Sequence, residues 1–450
     1  LNPDLHHFER AREYTKALNA TKLERMFAKP FVGQLGGGHR DGIYTISKNF
    51  NVLNRLATGS ADGIIKYWDL TTSTELASFK AHYGNVSGTC VTPQGSLLSC
   101  GDDKSIKLWS VDANEFEDAD EEKINKKGLL KQYLGDHAFR SLDHHRDDPL
   151  FVTGGAIIEL WDENRSRPIS NLSWGADNVN KVRFNKTETS VLASTGSDNS
   201  VVLYDIRTNS PTQKVVQTMR TNSIEWNPVE AFNFVTANED HNLYYYDMRN
   251  MSRALNVFKD HVAAVLDVDF SPTGQEIVSG SYDKTIRIFK TNEGHSRDIY
   301  HTKRMQHVFQ VKFSMDSKYI FSGSDDGNVR LWRSQASETP QVKSAKFRSK
   351  LEYDAALKER FKHMPEIKRI AKHRHVPIVI KKAKDIKTIE LESIKRREEN
   401  ERRHSRPGSK PYVSERVKQI VGTAFQESEE DKKKRYRKGS KKRSEEEDEN

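Results

Sequence analysis

Hydroxyl, imidazole and carboxylate side chains, the types that act as nucleophile, base and orienting group in hydrolytic sites, recur throughout this 450-residue chain, and their spacing decides what they can do. Aspartates stand at Asp62, Asp103, Asp198, Asp240, Asp283 and Asp326. Four positions before each lies a short hydroxyl residue: Thr58, Ser99, Ser194, Thr236, Ser279 and Ser322. Six positions after each an aromatic closes an apolar run, giving Trp68, Trp109, Tyr204, Tyr246, Phe289 and Trp332, with Trp161 as a seventh that lacks the aspartate. A catalytic constellation is assembled once, whereas a set repeated in fixed register belongs to structure. No separate nucleophile–base pair, Gly-rich phosphate loop or clustered metal ligands stand out, so neither catalytic residues nor a bound metal or cofactor is expected.

The seven aromatics are separated by 41, 52, 43, 42, 43 and 43 residues, the period of WD-repeat propeller blades. The fold expected is all-β, a seven-bladed propeller. In such proteins the hydroxyl, the turn aspartate, an upstream histidine and the strand-end Trp form a buried hydrogen-bonded chain, and the histidines here would be His39, His82, His137 and His261. A network of this kind stabilises only when every member is satisfied. The third unit has Gly154 and Gly155 where an aspartate is needed, the fourth and fifth lack a histidine, and Phe289 cannot donate. Full tetrads are therefore expected only as His39, Thr58, Asp62, Trp68 and as His82, Ser99, Asp103, Trp109. The turns at Asp62-Gly63, Asp198-Asn199 and Asp326-Gly327 suit two-residue hairpins, which need positive φ. An open ring would leave unpaired strand edges, so Phe31 to Leu35 is expected to close the blade ending at Trp332.

Charge is divided unevenly. Residues 341–450 hold 33 Lys and Arg against 20 Asp and Glu, while residues 1–340 hold 40 against 44. A basic appendage on a slightly acidic body points to a polyanion met through one segment, with nucleic acid the first suspect. Cys90 and Cys100 are too few for a disulfide framework and are expected as buried, reduced thiols. No apolar run approaches the length that spans a bilayer and no signal-peptide pattern opens the chain, so an intracellular protein is expected, with residues missing upstream of Leu1. Asp112 to Gly128, inside the long interval, reads as a charged surface insertion.

Three regions are expected: an N-terminal helical extension over 1–30, the propeller over 31–335, and a basic, mainly α-helical tail over 336–450. The helical composition of Phe8 to Leu18 should pack on the propeller or a partner. Strand signals vanish after Ser344; Leu357, Phe361 and Met364 fall on one helical face, and Pro365 and Pro377 divide the tail into pieces. The candidate RNA- or partner-binding residues there are Lys358, Arg360, Lys362, Lys368, Arg369, Lys372, Arg374, Lys395, Arg396, Arg397, Arg402 and Arg403. His373 and His375 point to different sides of a helix and make a poor metal pair. Basic clusters at Lys432 to Lys438 and Lys441 to Arg443 are of nuclear-import type.

The segments Phe8 to Phe31, Tyr353 to His375 and Lys395 to His404, with Leu56-Ala-Thr-Gly-Ser-Ala-Asp-Gly63 in the first repeat, resemble the suppressor-of-fibrillarin WD-repeat proteins of the small-subunit processome. The resemblance covers nearly the whole chain. It implies a nucleolar, non-catalytic scaffold in pre-rRNA processing, whose partners are pre-ribosomal RNA, small nucleolar ribonucleoprotein and other assembly factors, with no membrane and no small-molecule substrate. Members of that family are also grouped with cullin-4 substrate receptors. Tyr204-Asp-Ile-Arg207 and Tyr246-Asp-Met-Arg249 fit their aromatic-Asp-x-Arg box, making Arg207 and Arg249 candidate ligase-adaptor contacts, unless each simply pairs with a local carboxylate.

Overall fold

A computed structural model describes residues 8–110, 128–175, 178–338, 342–406 and 408–425. The expected insertion, apart from Gly128, and both C-terminal basic clusters lie outside the described residues.

Seven antiparallel sheets of four strands, consecutive in the chain except in the sheet that closes the ring, and one enlarged to five, stand side by side. Their inner strands are Ile43–Lys48, Val86–Val91, Ser141–His144, Val179–Phe184, Thr221–Trp226, Val265–Phe270 and Val308–Phe313, belonging to blades one to seven. Most blade strands are buried on both faces because each sheet is sandwiched between neighbours, so they read as continuous apolar runs more than as strict alternation. The core is a series of clusters between adjacent blades, such as Val235, Leu243 and Phe258 of blade five against Val268, Phe270 and Phe289 of blade six.

The ring closes as expected. Phe31–Gln34 pairs antiparallel with Val329–Arg333, placing Phe31 opposite Trp332 and Gln34 opposite Arg330. The Leu35 amide extends the ladder to the Val329 carbonyl at 3.0 Å. The edge that would invite another chain is thus covered by the start of the same chain.

The hairpin turns behave as their residues require. Gly63 and Gly327 have φ of 82° and 74°, and Asn199 adopts 61°. Lys104, His241 and Lys284 take the same conformation without a glycine's freedom. A Cβ on Gly63 would stand 2.2 Å from the His82 carbonyl oxygen, so that turn also needs glycine to let the next blade's entering segment approach. These turns and the segments entering the inner strands share one face of the ring, called here the entry face; the inner strands end on the opposite, exit face.

Helix α1 (Glu9–Met26) packs on the tail and not solely on the blades. The tail forms α2 (Ala345–Arg360), α3 (Pro365–Lys372), α4 (Ile378–His404) and α5 (Glu415–Lys418). Pro365 occupies the first turn of α3 and Pro377 caps α4, the positions where a missing N–H does no harm. Ala17, Leu357 and Ile367 form a small core with Tyr14, Leu18 and Phe361, tying the two ends of the chain together. Met364 does not join them: α2 stops at Arg360, and Met364, as the N-cap of α3, is exposed.

One tail element departs from expectation. Ile420–Phe425 is a strand added to the outer strand of blade four, Ser210–Gln217, with Lys214 opposite Ala424 and Gln217 opposite Ile420. Strand signals therefore do not end at Ser344. The segment Ile-Val-Gly-Thr-Ala-Phe is short and uncharged within a basic, helix-rich tail, and only the free edge of blade four gives it a partner.

Candidate interaction surfaces

The repeated polar residues lie inside blades. In blade two His82 Nδ1 meets Asp103 at 2.9 Å, His82 Nε2 meets the Ser99 hydroxyl at 2.8 Å, and Trp109 Nε1 donates to Ser99 at 2.9 Å. This tetrad is complete. Blade one falls short: His39 Nε2 and Trp68 Nε1 both reach Thr58 at 2.8 Å, but the buried His39 Nδ1 has no partner and Asp62 instead accepts the Ile64 amide at 2.9 Å. Blade six keeps three members, with His261 bridging Asp283 at 2.9 Å and Ser279 at 2.7 Å and Phe289 closing the strand. His137 is no tetrad member. It is exposed, and Trp161 Nε1 donates at 3.0 Å to Thr153, a hydroxyl brought into place by a turn two residues shorter than its counterparts.

Ser99→Ala would orphan both His82 Nε2 and Trp109 Nε1. The expected cost is about 2 kcal/mol, seen as a lower urea midpoint with an unchanged m-value. Equal midpoints would show that the tetrad contributes nothing to the ring.

Acid should destabilise the same network. Burial, aided by Lys66, pushes His39 down to about 3, and burial lowers His82 and His261 despite Asp103 and Asp283. Unfolded imidazoles take up protons below about 6.5, so the unfolded state binds more of them. The stabilisation is complete above that pH and declines as pH falls toward the folded values, by up to about 1.4 kcal/mol per pH unit for each histidine. Asp103 and Asp283, held low by their histidines against the effect of burial, extend the loss below about 4. The urea midpoint at pH 5 should lie below that at pH 7.5; a flat profile would contradict this reading.

In blade five, which lacks the histidine, an amide replaces it. Gln217 Nε2 donates to the Tyr246 hydroxyl at 3.0 Å, and its Oε1 accepts from Thr221 at 2.8 Å. Gln419 of the tail donates to the same Tyr246 oxygen at 3.2 Å. A tyrosine in the strand-end position thus gives the tail a buried anchor.

The tail binds the ring along an arc. Arg25 of α1 meets Asp298 of blade six at 3.1 Å, and Arg374 bonds the Arg297 carbonyl and stands 3.4 Å from Asp298. In α4, Lys384 meets Asp260 at 3.2 Å and Lys387 donates to the His261 carbonyl at 2.9 Å. Lys259 pairs with Glu415, and the Ala254 amide donates to the Arg416 carbonyl at 2.9 Å. The added strand completes the latch on blade four.

The candidate cations of the tail divide accordingly. Arg374 is half-buried and holds the tail to blade six, whereas Lys358 meets Glu24 at 2.9 Å and Arg360 meets Glu13 at 2.7 Å, so these two join α1 to the tail. Arg396 and Arg403 pair one turn back with Glu392 and Glu399, Lys395 stands 3.6 Å from Glu415, and Arg402 lies over the Tyr412 ring at 5.1 Å. Arg397 is exposed. Lys362, Lys368, Arg369 and Lys372 are exposed and form no ion pair among the described residues. They cluster at the end of α2 and along the outer side of α3, opposite the buried Ile367.

Arg207 and Arg249 follow the third strands of blades four and five on the exit face. Each curls onto the aspartate two residues earlier, Arg207 Nη2 to Asp205 at 3.2 Å and Arg249 Nη2 to Asp247 at 2.7 Å, and Arg249 also lies 4.5 Å over the Phe232 ring. The local pairing left open by the sequence is the one found, with both guanidinium groups still largely exposed.

The sequence reading missed the charged lining of the central channel. Arg183 meets Asp143 at 3.3 Å and Glu225 at 3.2 Å; Lys186 reaches Glu225 at 2.8 Å; Lys312 bridges Glu225 and Asp269 at 3.3 and 3.2 Å; Lys48 reaches Asp269 at 3.2 Å. The carboxylates also bond across blades, Asp143 taking the Phe184 amide and Asp269 the Phe313 amide, each at 2.7 Å. Neighbouring inner strands share no ladder, so side chains supply the acceptors. Burial raises Glu225, but Lys186, Lys312 and Arg183 outweigh it and hold it well below the usual carboxylate range. A cavity of about 460 Å³ opens from this belt to the exit face, lined also by Cys90, His144 and Arg146. Cys90 and Cys100 are free thiols, both pushed up to about 12 by burial, though Cys90 is only half-buried. The alternation of charges at inner-strand positions was the available signal, obscured because each strand alone reads as an ordinary half-polar strand.

Among the described residues no group of three or more metal-ligating side chains occurs, and no helix is long and apolar enough to cross a membrane.

The WD domain, G-beta repeat model matches residues 31–69, 73–110, 252–290 and 293–333, which hold the three inner strands of blades one, two, six and seven. The three inner strands of blades three to five, where the tetrads are most altered, lie between those matches. The Sof1-like domain model matches residues 334–420. Fold and tail together define a WD-repeat propeller with a Sof1-like appendage. The chain is similar to Protein SOF1 of Saccharomyces cerevisiae, 65% identical over 439 residues that cover 94% of this chain and 89% of that protein. It is 54% identical over 424 residues to Protein sof1 of Schizosaccharomyces pombe, covering 94% of each. It is 47% identical over 421 residues to DDB1- and CUL4-associated factor 13 of Xenopus laevis, covering 93% of each. The chain belongs to the suppressor-of-fibrillarin (Sof1) family of WD-repeat proteins.

Proposed function

We propose that this protein is a non-catalytic scaffold of the nucleolar small-subunit processome, holding pre-ribosomal RNA, small nucleolar ribonucleoprotein and other assembly factors in place during rRNA processing. The observation that carries the reading is the division of labour among polar residues. Those with catalytic character are consumed inside blades, while Lys362, Lys368, Arg369 and Lys372 stand exposed on the family's own tail with no ion pair among the described residues. Phosphate contacts made by such groups position a particle without chemistry. The near full-length similarity to Protein SOF1 supports the same reading.

A second reading, substrate receptor of a cullin-4 ubiquitin ligase, is favoured by the name of the vertebrate relatives and by the exposed Arg207 and Arg249. Each arginine must release its own aspartate to meet an adaptor, a small cost for an exposed pair. Sedimentation of the tagged protein from a nuclear extract separates the two. Co-migration with large pre-ribosomal particles, lost on ribonuclease treatment, is the outcome expected of the scaffold; a small complex insensitive to ribonuclease would favour the ligase.

A further inference from the structure

The entry face between blades six and two carries aromatic side chains that the blade architecture does not use. Tyr44 stacks on Phe309 with ring centroids 4.8 Å apart and planes 12° from parallel. Tyr282 stacks on His307 at 3.5 Å and 7°, and His307 Nδ1 is fixed 2.7 Å from the Tyr282 carbonyl oxygen. Asp325 lies between the two stacks: its amide donates to the His307 carbonyl at 2.9 Å, and its carboxylate sits beside Gly42, two residues before Tyr44. Tyr44, Tyr282 and Tyr83 are respectively 40%, 49% and 70% exposed, more than core tyrosines would be.

Carboxylates surround these rings. Burial and then the negative charges of Asp325, Asp41 and Asp102 raise the Tyr44 phenol, so all three acids lie within electrostatic reach of it. All three are exposed, and none forms an ion pair among the described residues. The aspartates that follow Asp102 and Asp325 in sequence behave differently: Asp103 is spent on His82 and Asp326 on Arg330. Asp102 and Asp325 are therefore surplus to blade structure.

We propose that this patch, formed by Tyr44, Phe309, Tyr282 and His307 with Asp41, Asp102 and Asp325, docks an extended, arginine-bearing peptide of a partner protein. A guanidinium can lie over an aromatic face and bond a carboxylate in its own plane, and the patch offers both within one surface. Phosphate is repelled by the same carboxylates, which separates this face from the cationic side of α3 and assigns protein to one and polyanion to the other. The inference goes beyond the scaffold reading, since it holds whatever particle the chain joins.

The test uses the full chain and a short fluorescent peptide of alternating arginine and glycine, followed by anisotropy at physiological salt. Saturable binding is expected, weakened about tenfold in a variant carrying Asp102→Asn and Asp325→Asn, and similarly by Tyr44→Leu. A variant with Asp147→Asn and Asp148→Asn, which removes two exposed acids on the exit face, should bind as the parent does. No saturable binding, or equal loss in the exit-face variant, would overturn the assignment, the second by showing attraction to the body's general charge. Binding that appears only after removal of residues 426–450 would also overturn it, by showing that the chain's own basic segment occupies the patch.

Discussion

Glu225→Gln should lower the stability of the ring by about 3 to 5 kcal/mol, the cost of removing one partner from a buried charge cluster. Glu225 faces Arg183, Lys186 and Lys312 inside the channel, at 3.2, 2.8 and 3.3 Å. An amide of the same shape leaves Arg183 with Asp143 and Lys312 with Asp269, takes from Lys186 its carboxylate partner, and deprives blades four and seven of their common counter-charge. Surface pairs such as Arg207–Asp205 make the useful contrast, since Arg207→Ala should leave the unfolding midpoint nearly unchanged. Chemical unfolding followed by tryptophan fluorescence reads both, because Trp226 is fully buried in the inner strand of blade five. Adding Lys312→Met to Glu225→Gln should recover part of the loss, as the most buried of the three cations is then removed. A neutral Glu225→Gln, or a double variant with additive losses, would show that the belt does not bind the inner strands together.

The second large effect concerns RNA. Neutralising Lys362, Lys368, Arg369 and Lys372 to glutamine should reduce the slope of log affinity against log salt by about 3 for a single-stranded pre-rRNA fragment, since each lost phosphate contact contributes about 0.7. Stability should be unchanged, because none of the four supports the fold. Neutralising Lys358, Arg360 and Arg374 should do the reverse. Those residues bond Glu24, Glu13 and the Arg297 carbonyl, so their loss loosens the tail from α1 and blade six while the salt slope stays nearly constant. Filter binding across a salt series, alongside thermal unfolding, separates the two sets. Equal slopes in all variants would place RNA contact elsewhere.

This partition explains what could and could not be read from residue types. Blade count, ring closure at Phe31 and the positive-φ turns were legible, because each follows from a local rule of spacing, edge protection or backbone conformation. The tetrads were legible in type but not in detail. His39 and Asp62 occupy the right positions, yet His39 Nδ1 is left alone, although the Asp62 bond to the Ile64 amide has counterparts in blades two and six, where the aspartate also meets its histidine. Thr153 was missed because the shortened turn of blade three shifts the hydroxyl register by two residues.

The tail was harder for a physical reason. A cation in sequence carries no label saying whether it will meet a carboxylate of the same chain or a phosphate of another molecule. Arg374 and Arg369 have the same chemistry five residues apart, and the packing of the tail against α1 and blade six turns one inward and leaves the other outward. The strand Ile420–Phe425 was invisible for a similar reason, since its partner lies some two hundred residues away in blade four. Gln419 shows how that partner was prepared: a tyrosine replaces tryptophan at position 246, and two glutamines share its hydroxyl.

The central claim is that the ring supplies surfaces while the outer side of the tail supplies the contact with RNA. Ultraviolet cross-linking of the intact particle, with peptides identified by mass spectrometry, tests it most directly. The account expects RNA adducts on peptides spanning residues 362–372 and none on the entry-face segments around Tyr44 and Tyr282. Adducts concentrated on that acidic, aromatic face, with the tail unmodified, would contradict it.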